Sequence, residues 1–424
     1  MTDLPLPRLA AFGAALDDPT VQWSLLLALA AAAGQVAQRH LGLPKVIGYS
    51  VVGAAAGMAG FPGVAWPLEG ISLFLLQLGV AVVLFEAGGR LPLRWLRHHP
   101  MLLVQSLSEA ALTFLLCGAT LHWLGVSVPA AAALGAIAMV GSPAILSRVI
   151  TDSRARGPVT ERALALTTLG TLYALVLVSG HAAVLGEASG EGLLQGLSIG
   201  RVLGVSVAAG ALLALAVRLA LRMMSPTSEN TAIVMISLLA ATSALVVQAG
   251  GSGPLAALVG GLTLKQLYSR PWAWPGHMGT AASMLVMLNF VLVAVAAAQS
   301  DWTAGVAAAV AGLLLARGLG KGLGIALGCA GSGLRWRQSL GVAAALGPMS
   351  SVALLLVSEL AQADPALGAQ VAALALPSIL LMQVLGAALA MAALHRAGES
   401  SRAIAALAQG DGSPVRQGAG LGRP

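Results

Sequence analysis

Charge is what this chain has little of. Asp, Glu, Lys and Arg make up 9% of its 424 residues, while 58% are hydrophobic. A soluble domain carries roughly 25% charged residues, so no water-facing surface can be built from this composition. The mean hydropathy of +0.87 agrees, and the chain reads as an all-α polytopic membrane protein. Alternating segments of about ten residues, the mark of a transmembrane barrel, are missing, and the apolar runs are long and unbroken. Cysteine is nearly absent: Cys117 and Cys329 lie far apart in apolar runs and are expected as small buried hydrophobes. No Cys or His spacing suggests a metal site, and no nucleophile–base pair appears. No cofactor, metal or enzyme chemistry is therefore expected, and the basic excess is not a nucleic-acid signal.

Charged, Pro-rich and Gly-rich breaks divide the chain into about thirteen segments of membrane length. Their limits are 21–38, 44–60, 69–89, 100–124, 129–150, 160–185, 194–222, 230–249, 253–268, 280–299, 302–330, 337–361 and 368–394. Asp17 and Asp18 precede the first run, where a signal peptide would carry positive charge. That run is accordingly expected to be a span. The division is then an extracytoplasmic segment at 1–20, a transmembrane domain at 21–395 and a short disordered cytoplasmic tail at 396–424. Tryptophans 66, 123 and 302, and the stretch RPWAWP at 270–275, sit near segment ends and are expected as interfacial anchors.

Nineteen of the 23 basic residues fall on one side of this arrangement, in the loops after the first, third, fifth, seventh and ninth segments, before the twelfth and in the tail. The other side holds Arg8 and Arg201 together with eight acidic residues. The positive-inside rule places the amino terminus outside and the carboxyl terminus in the cytoplasm. An odd number of spans requires the same.

Segments five and twelve are interrupted at matching places, by Gly141-Ser142-Pro143 and by Gly347-Pro348. Proline removes a backbone donor and glycine permits unwinding. Carbonyls freed at membrane depth persist only where protein or a water-filled cavity satisfies them. Ser142, Ser350 and Ser351 supply hydroxyls there. A pair of broken spans, one per half and opposite in direction, points to the binding site of a secondary transporter with inverted repeats.

Two basic residues, Arg317 and Lys321, lie inside segment eleven, one turn apart on one face. Lys321 is fourteen residues short of Arg335, roughly 21 Å along a helix, too deep for simple snorkelling. It is expected to face a cavity or a buried partner. Glu109 is the deepest carboxylate and a functional candidate by default. Glu86 is expected to pair with Arg90 four residues on, Asp152 and Glu161 to balance the arginine-rich loop, and Glu359 to be interfacial.

With these segments placed, the chain resembles the cation:proton antiporter superfamily, in its Kef-like and sodium/proton exchanger branch. The resemblance is carried by HLGLPKVIGYSVVGAAAGMAG, LGVAVVLFEAGGRLPLRWLRHHP, VGSPAILSRVI, GSGPLAALVGGLTL, NFVLVAVAAAQSDW, ARGLGKGLGIALG and ALGPMSSVALLL, in that order, over residues 20 to 395. It implies thirteen spans and a homodimer in the bilayer, with a mobile core that moves by an elevator-like alternating-access motion. Monovalent cation (Na⁺ or K⁺) and proton would be the exchanged partners. The site it implies draws on Glu109, Ser142, Pro143, Thr168, Thr171, Tyr173, Arg317, Lys321, Pro348 and Ser350.

One absence then stands out. The resemblance implies an Asp on the helix after the first broken one, usually in an Asn-Asp, Asp-Asp or Gln-Asp pair, and the family's spacing from Pro143 puts that pair at Thr171 and Leu172. No Asp or Glu occurs from Arg162 through Ala183. Thr168, Thr171 and Tyr173 offer oxygens but no charge, and a neutral threonine does not exchange protons near neutral pH. Three outcomes are open. Glu109 replaces the missing acid from another helix, or Lys321 itself gains and loses the proton. In the third, the chain exchanges no cation and is an anion or other solute transporter, or a non-transporting membrane sensor or subunit.

Overall fold

The structure is a computed structural model and describes residues 18–62, 64, 66–91, 93–186, 192–225, 228–267, 276–329, 331–349 and 351–401. Among these residues every regular element is a helix. The elements are α1 (Pro19–Val36), α2 (Lys45–Met58), α3 (Gly70–Arg90), α4 (Pro100–Trp123), α5 (Val128–Ala138), α6 (Pro143–Ser153), α7 (Pro158–Gly186) and α8 (Gly192–Met223). They continue as α9 (Glu229–Gln248), α10 (Gly253–Leu267), α11 (Gly276–Ala298), α12 (Ala304–Leu327), α13 (Trp336–Ala345), α14 (Ser351–Ala363) and α15 (Pro365–Arg396). A π-helical turn, Ala37–Leu41, prolongs α1, and a short helix, Leu93–His98, precedes α4. Helix occupies each of the thirteen segments marked out by hydropathy. Ten helical stretches are long and apolar enough to cross a membrane, counting Val128–Ser153 as one; Lys45–Met58 and Ser351–Ala363 are shorter apolar helices. Residues 1–17 and 402–424, and the stretch at 270–275, lie outside the described residues.

Helix starts are written locally. Asp18 accepts from Thr20 N at 2.7 Å and Pro19 opens α1, where its missing N–H costs nothing. Thr303 caps α12 through Val306 N at 3.2 Å, and Asp364 caps α15 through Ala366 N and Leu367 N. The two interruptions fall where Gly-Ser-Pro and Gly-Pro place them. Residues 139–142 separate α5 from α6, and the gap between α13 and α14 begins at Leu346.

Packing joins α1–α3 with α8–α11, through the contacts α3–α10, α8–α10 and α2–α11. It joins α4–α7 with α12–α15, through α4–α12, α4–α5, α14–α15 and α7–α14. The α4–α12 pair is the most extensive, and glycine decides how close it comes. A Cβ at Gly320 would stand 2.6 Å from Thr113 Cα, and one at Gly324 would stand 2.2 Å from Glu109 Cα. One at Gly328 would stand 2.3 Å from Gln105 Cγ. Four residues forward on α12 meet four residues back on α4, an antiparallel crossing of the small-residue kind common in membranes.

Glu86 and Arg90 form the expected i,i+4 pair. Asp152 accepts from Lys45 N at 3.1 Å and so ties the end of α6 to the start of α2. Cys117 is buried as expected, whereas Cys329 is only partly so, because it sits in the turn after α12 rather than in an apolar helix. The first residues of the segment read as a tail turn back onto the bundle. The Glu399 carboxylate accepts from Val159 N (2.8 Å), Thr160 N (2.8 Å) and Thr160 Oγ1 (2.7 Å), and its carbonyl accepts from Arg156 N. It satisfies the orphan amides that open α7.

Candidate functional site

Both unwound segments converge on one side chain. Arg317, on α12, is 2% exposed. Its Nε donates to Ala138 O (2.9 Å), and its Nη2 to Val140 O (2.8 Å), both at the first break. Its Nη1 donates to Gly347 O (2.5 Å), and Nη2 also approaches Leu346 O (3.3 Å) and Pro348 O (3.5 Å), at the second. The guanidinium fork thus supplies the donors that the two broken helices lost, which is what membrane depth demands.

One turn along α12, Lys321 Nζ forms an ion pair with Glu109 Oε1 of α4. It also reaches Met139 O of the first break at 3.4 Å. Glu109 is 1% exposed and Lys321 2%. The pair is close because Gly324 lets the α4 backbone come up against α12. Burying an ion pair is expensive unless both charges are well matched and bonded, and here Thr113 Oγ1 adds a hydrogen bond to Glu109 Oε1 at 3.4 Å.

The helix that follows the first broken one, α7, lies against this pair. A Cβ placed on Gly170 would stand 3.6 Å from Glu109 Oε2 and 3.1 Å from Met139 O. Three residues on, Tyr173 OH accepts from Ser106 Oγ of α4 at 3.1 Å. The α4-facing side of α7 therefore runs through Gly170 and Tyr173, and the Glu109 carboxylate abuts it one residue before Thr171. Thr171 Oγ1 lies 2.7 Å from Thr167 O and 3.3 Å from Gly141 O, which ties α7 to the first break.

Other sequence-marked residues have different roles. Ser142 caps α6, accepting from Ile145 N at 3.2 Å. Thr168 Oγ1 donates to Leu164 O at 2.9 Å and lines a cavity of about 350 Å³ with Pro143, Ser147, Arg90 and Glu161. That cavity runs from the arginine-rich face to the first break, and neither Glu109 nor Lys321 lines it. Pro348 contributes its carbonyl to Arg317. Ser350 lies outside the described residues. Ser106, Thr113, Gln105 and Thr167 were not singled out from sequence. Gln105 Oε1 and Thr167 Oγ1 are buried and find no hydrogen-bond partner among the described residues. The signal was there for two of them, since Gln105 and Thr113 stand four residues either side of Glu109 on α4. Glu359, expected at the interface, instead lines a second cavity and accepts from Ser179 Oγ at 3.1 Å. The cause is the packing of α14 against α7, which draws that turn into the bundle.

Among the described residues no cluster of three metal-ligating side chains occurs. No curated protein matches the chain significantly. Two solved structures of the sodium proton antiporter MjNhaP1 from Methanocaldococcus jannaschii share its fold. One, determined at pH 8, has a TM-score of 0.67 and 16% identity, covering 88% of this chain and 98% of that one. The other, an electron-microscopy map, has a TM-score of 0.69 and 17% identity, covering 97% and 100%. Residues 25–395 match the family model described as "Sodium/hydrogen exchanger, transmembrane". This nearly all-helical membrane chain, with its two broken helices and buried Arg–Lys–Glu centre, belongs to the sodium/hydrogen exchanger family, whose members are cation:proton antiporters.

Proposed function

We propose that this chain exchanges a monovalent cation for a proton at Glu109, which takes over from α4 the part that the resemblance assigns to an Asp on α7. The observation that carries the reading is the buried Glu109–Lys321 pair, with Glu109 Oε2 lying against Gly170, the residue just before the Thr171–Leu172 pair in which that Asp was expected. A desolvated Na⁺ or K⁺ needs oxygen ligands and a compensating charge. Glu109 supplies the charge, and Met139 O and Thr113 Oγ1 already stand around it. The Lys321 ammonium occupies the cation's place in this arrangement, so cation and ammonium compete for one carboxylate. A single carboxylate is neutralised equally by one proton or one monovalent cation. The core then keeps its net charge in either load, and one proton moves per cation.

Arg317 weighs against an anionic substrate, because its Nε and both Nη atoms are committed to backbone carbonyls. Thr171 and Leu172 are read as the substituted pair, and Thr168 with Pro143 as the floor of the route from the arginine-rich face. The basic-residue asymmetry supports an amino terminus outside, and the resemblance supports a bacterial inner-membrane placement and a homodimer.

The test is proton flux in proteoliposomes that enclose a pH dye, pulsed with Na⁺, K⁺ or Li⁺. Wild type should give cation-dependent flux, Glu109→Gln none, and Lys321→Ala a lower half-saturating cation concentration, since the competing ammonium is gone. Wild-type flux in Glu109→Gln would transfer the role elsewhere. No flux with any cation, from folded wild-type protein, would sink the antiporter reading for this chain.

A further inference from the structure

On the face opposite the arginine-rich loops, a cavity of about 310 Å³ lies between α7, α14 and the helices α8–α10. Among the described residues Glu359 is the one ionisable side chain that lines it, alongside Gln77, Ser179, Ser252 and Gln362. Eight residues separate Thr171 from Ser179 on α7, and eight separate Ser351 from Glu359 on α14, about 12 Å of helix in each case. The cavity thus sits roughly two turns beyond the Arg317-tied breaks, away from the cavity that reaches Thr168.

Its oxygens are arranged, not scattered. Ser179 Oγ stands 3.1 Å from Glu359 Oε2 and 3.1 Å from Ser252 Oγ. A hydroxyl has one proton. If Ser179 gives it to the carboxylate, Ser252 must donate to Ser179, and the chain of hydroxyls points its protons at Glu359. Ser252 is itself fixed, because its N–H donates to Ser206 Oγ at 2.8 Å and Ser206 donates onward to Val202 O at 2.6 Å. Ser179, Ser206 and Ser252 are all buried. Glu359 Oε1 takes no hydrogen bond from the described residues and is left to the cavity.

We propose that Glu359, Ser179 and Ser252 form a second cation site, a vestibule site that holds a partly hydrated monovalent cation or a proton before it reaches the core. A single carboxylate with two hydroxyls and two amide side chains around a water-sized space suits a monovalent ion. A Ca²⁺ site takes six to eight oxygens. Other titratable groups among the described residues lie nearby. His181 of α7 lines a different cavity with Phe114 and Leu360. Arg201 of α8 lies against Gly250, beside the lining residue Gly251. The ion's identity rests on the exchanger reading above, but the site itself does not need Glu109.

The experiment is labelling of the purified full chain by dicyclohexylcarbodiimide, an apolar reagent for protonated carboxyls, with peptide mass spectrometry at Glu359. Na⁺, K⁺ or Li⁺ are compared with choline at equal ionic strength. Labelling at Glu359 should be suppressed by the small cations, equally in wild type and in Glu109→Gln. Ser179→Ala should raise the half-protecting concentration by about threefold or more, the worth of one hydroxyl ligand. Labelling indifferent to the cation, or absent at every pH, would overturn the site. Protection that disappears in Glu109→Gln would overturn it as a separate site, assigning the effect to the core.

Discussion

Arg317 is the side chain on which both broken helices depend, and replacing it with methionine isolates that dependence, since length is nearly kept and the donors are lost. Three of its five acceptors lie within 2.9 Å: Gly347 O, Val140 O and Ala138 O. A buried carbonyl left without a donor costs about 1–3 kcal/mol, so the three together put the gross loss at roughly 3–9 kcal/mol. Against this, methionine spares the burial of a guanidinium, an offset of several kcal/mol. Taking about 6 kcal/mol as the middle of that gross range and about 3 kcal/mol as the offset, the expected net loss is about 3 kcal/mol. In a chain of this length that corresponds to a fall in Tm on the order of 5 °C, read as loss of the monodisperse peak in detergent. Arg317→Lys should recover little, because one ammonium cannot span both breaks. Hydrogen exchange should rise at residues 139–142 and 346–349 together, since one fork serves both. A Tm within about 1 °C of wild type, or deprotection of one break alone, would refute the reasoning.

Three further outcomes follow from geometry already described. Gly324→Ala should separate α4 from α12 and pull Glu109 off Lys321, lowering both Tm and cation-dependent flux. Gly322→Ala, which meets nothing within 4 Å, should be neutral or gain up to about 1 kcal/mol of helix propensity. Glu399→Ala removes three hydrogen bonds to a buried carboxylate, for a loss of about 2–4 kcal/mol and faster exchange at the start of α7. Glu399→Gln should cost less. At Asp18 the Thr20 N–H holds the carboxyl below the usual carboxylate range. Its capping contribution is therefore complete above the unfolded value of about 3.9 and lost as pH falls through the lower folded one. Amide exchange in the first turn of α1 should differ between wild type and Asp18→Ala at neutral pH and converge in acid.

How much of this was legible from sequence depends on which force decides each feature. Hydropathy alone places helices, because in lipid the backbone has no other way to satisfy itself. The breaks were legible because Gly141-Ser142-Pro143 and Gly347-Pro348 are local chemistry. The depth of Arg317 and Lys321 was legible from the distance to Arg335. Their partners were not. Arg317 finds five backbone carbonyls, which have no side-chain signature, and Lys321 finds Glu109 through a helix crossing set by Gly320, Gly324 and Gly328. That glycine spacing was visible, but nothing in it says which of the other helices it meets. The Glu399 clasp was missed for a related reason: a single acid in a Gly/Ala-rich stretch carries no pattern until the amides it caps are known.

The Arg317 fork also has a meaning in time. Arg317 lies 177 residues after Val140, and Glu399 lies 240 residues after Val159. A ribosome delivers the first broken helix to the membrane long before its donors exist, and the opening turn of α7 waits longer still. Until α12 arrives, the carbonyls of Ala138 and Val140 must borrow hydrogen bonds from water or from the insertion machinery. The core is therefore completed from its carboxyl-terminal side. A nascent chain halted before residue 317 presents a first break whose carbonyls still lack these donors.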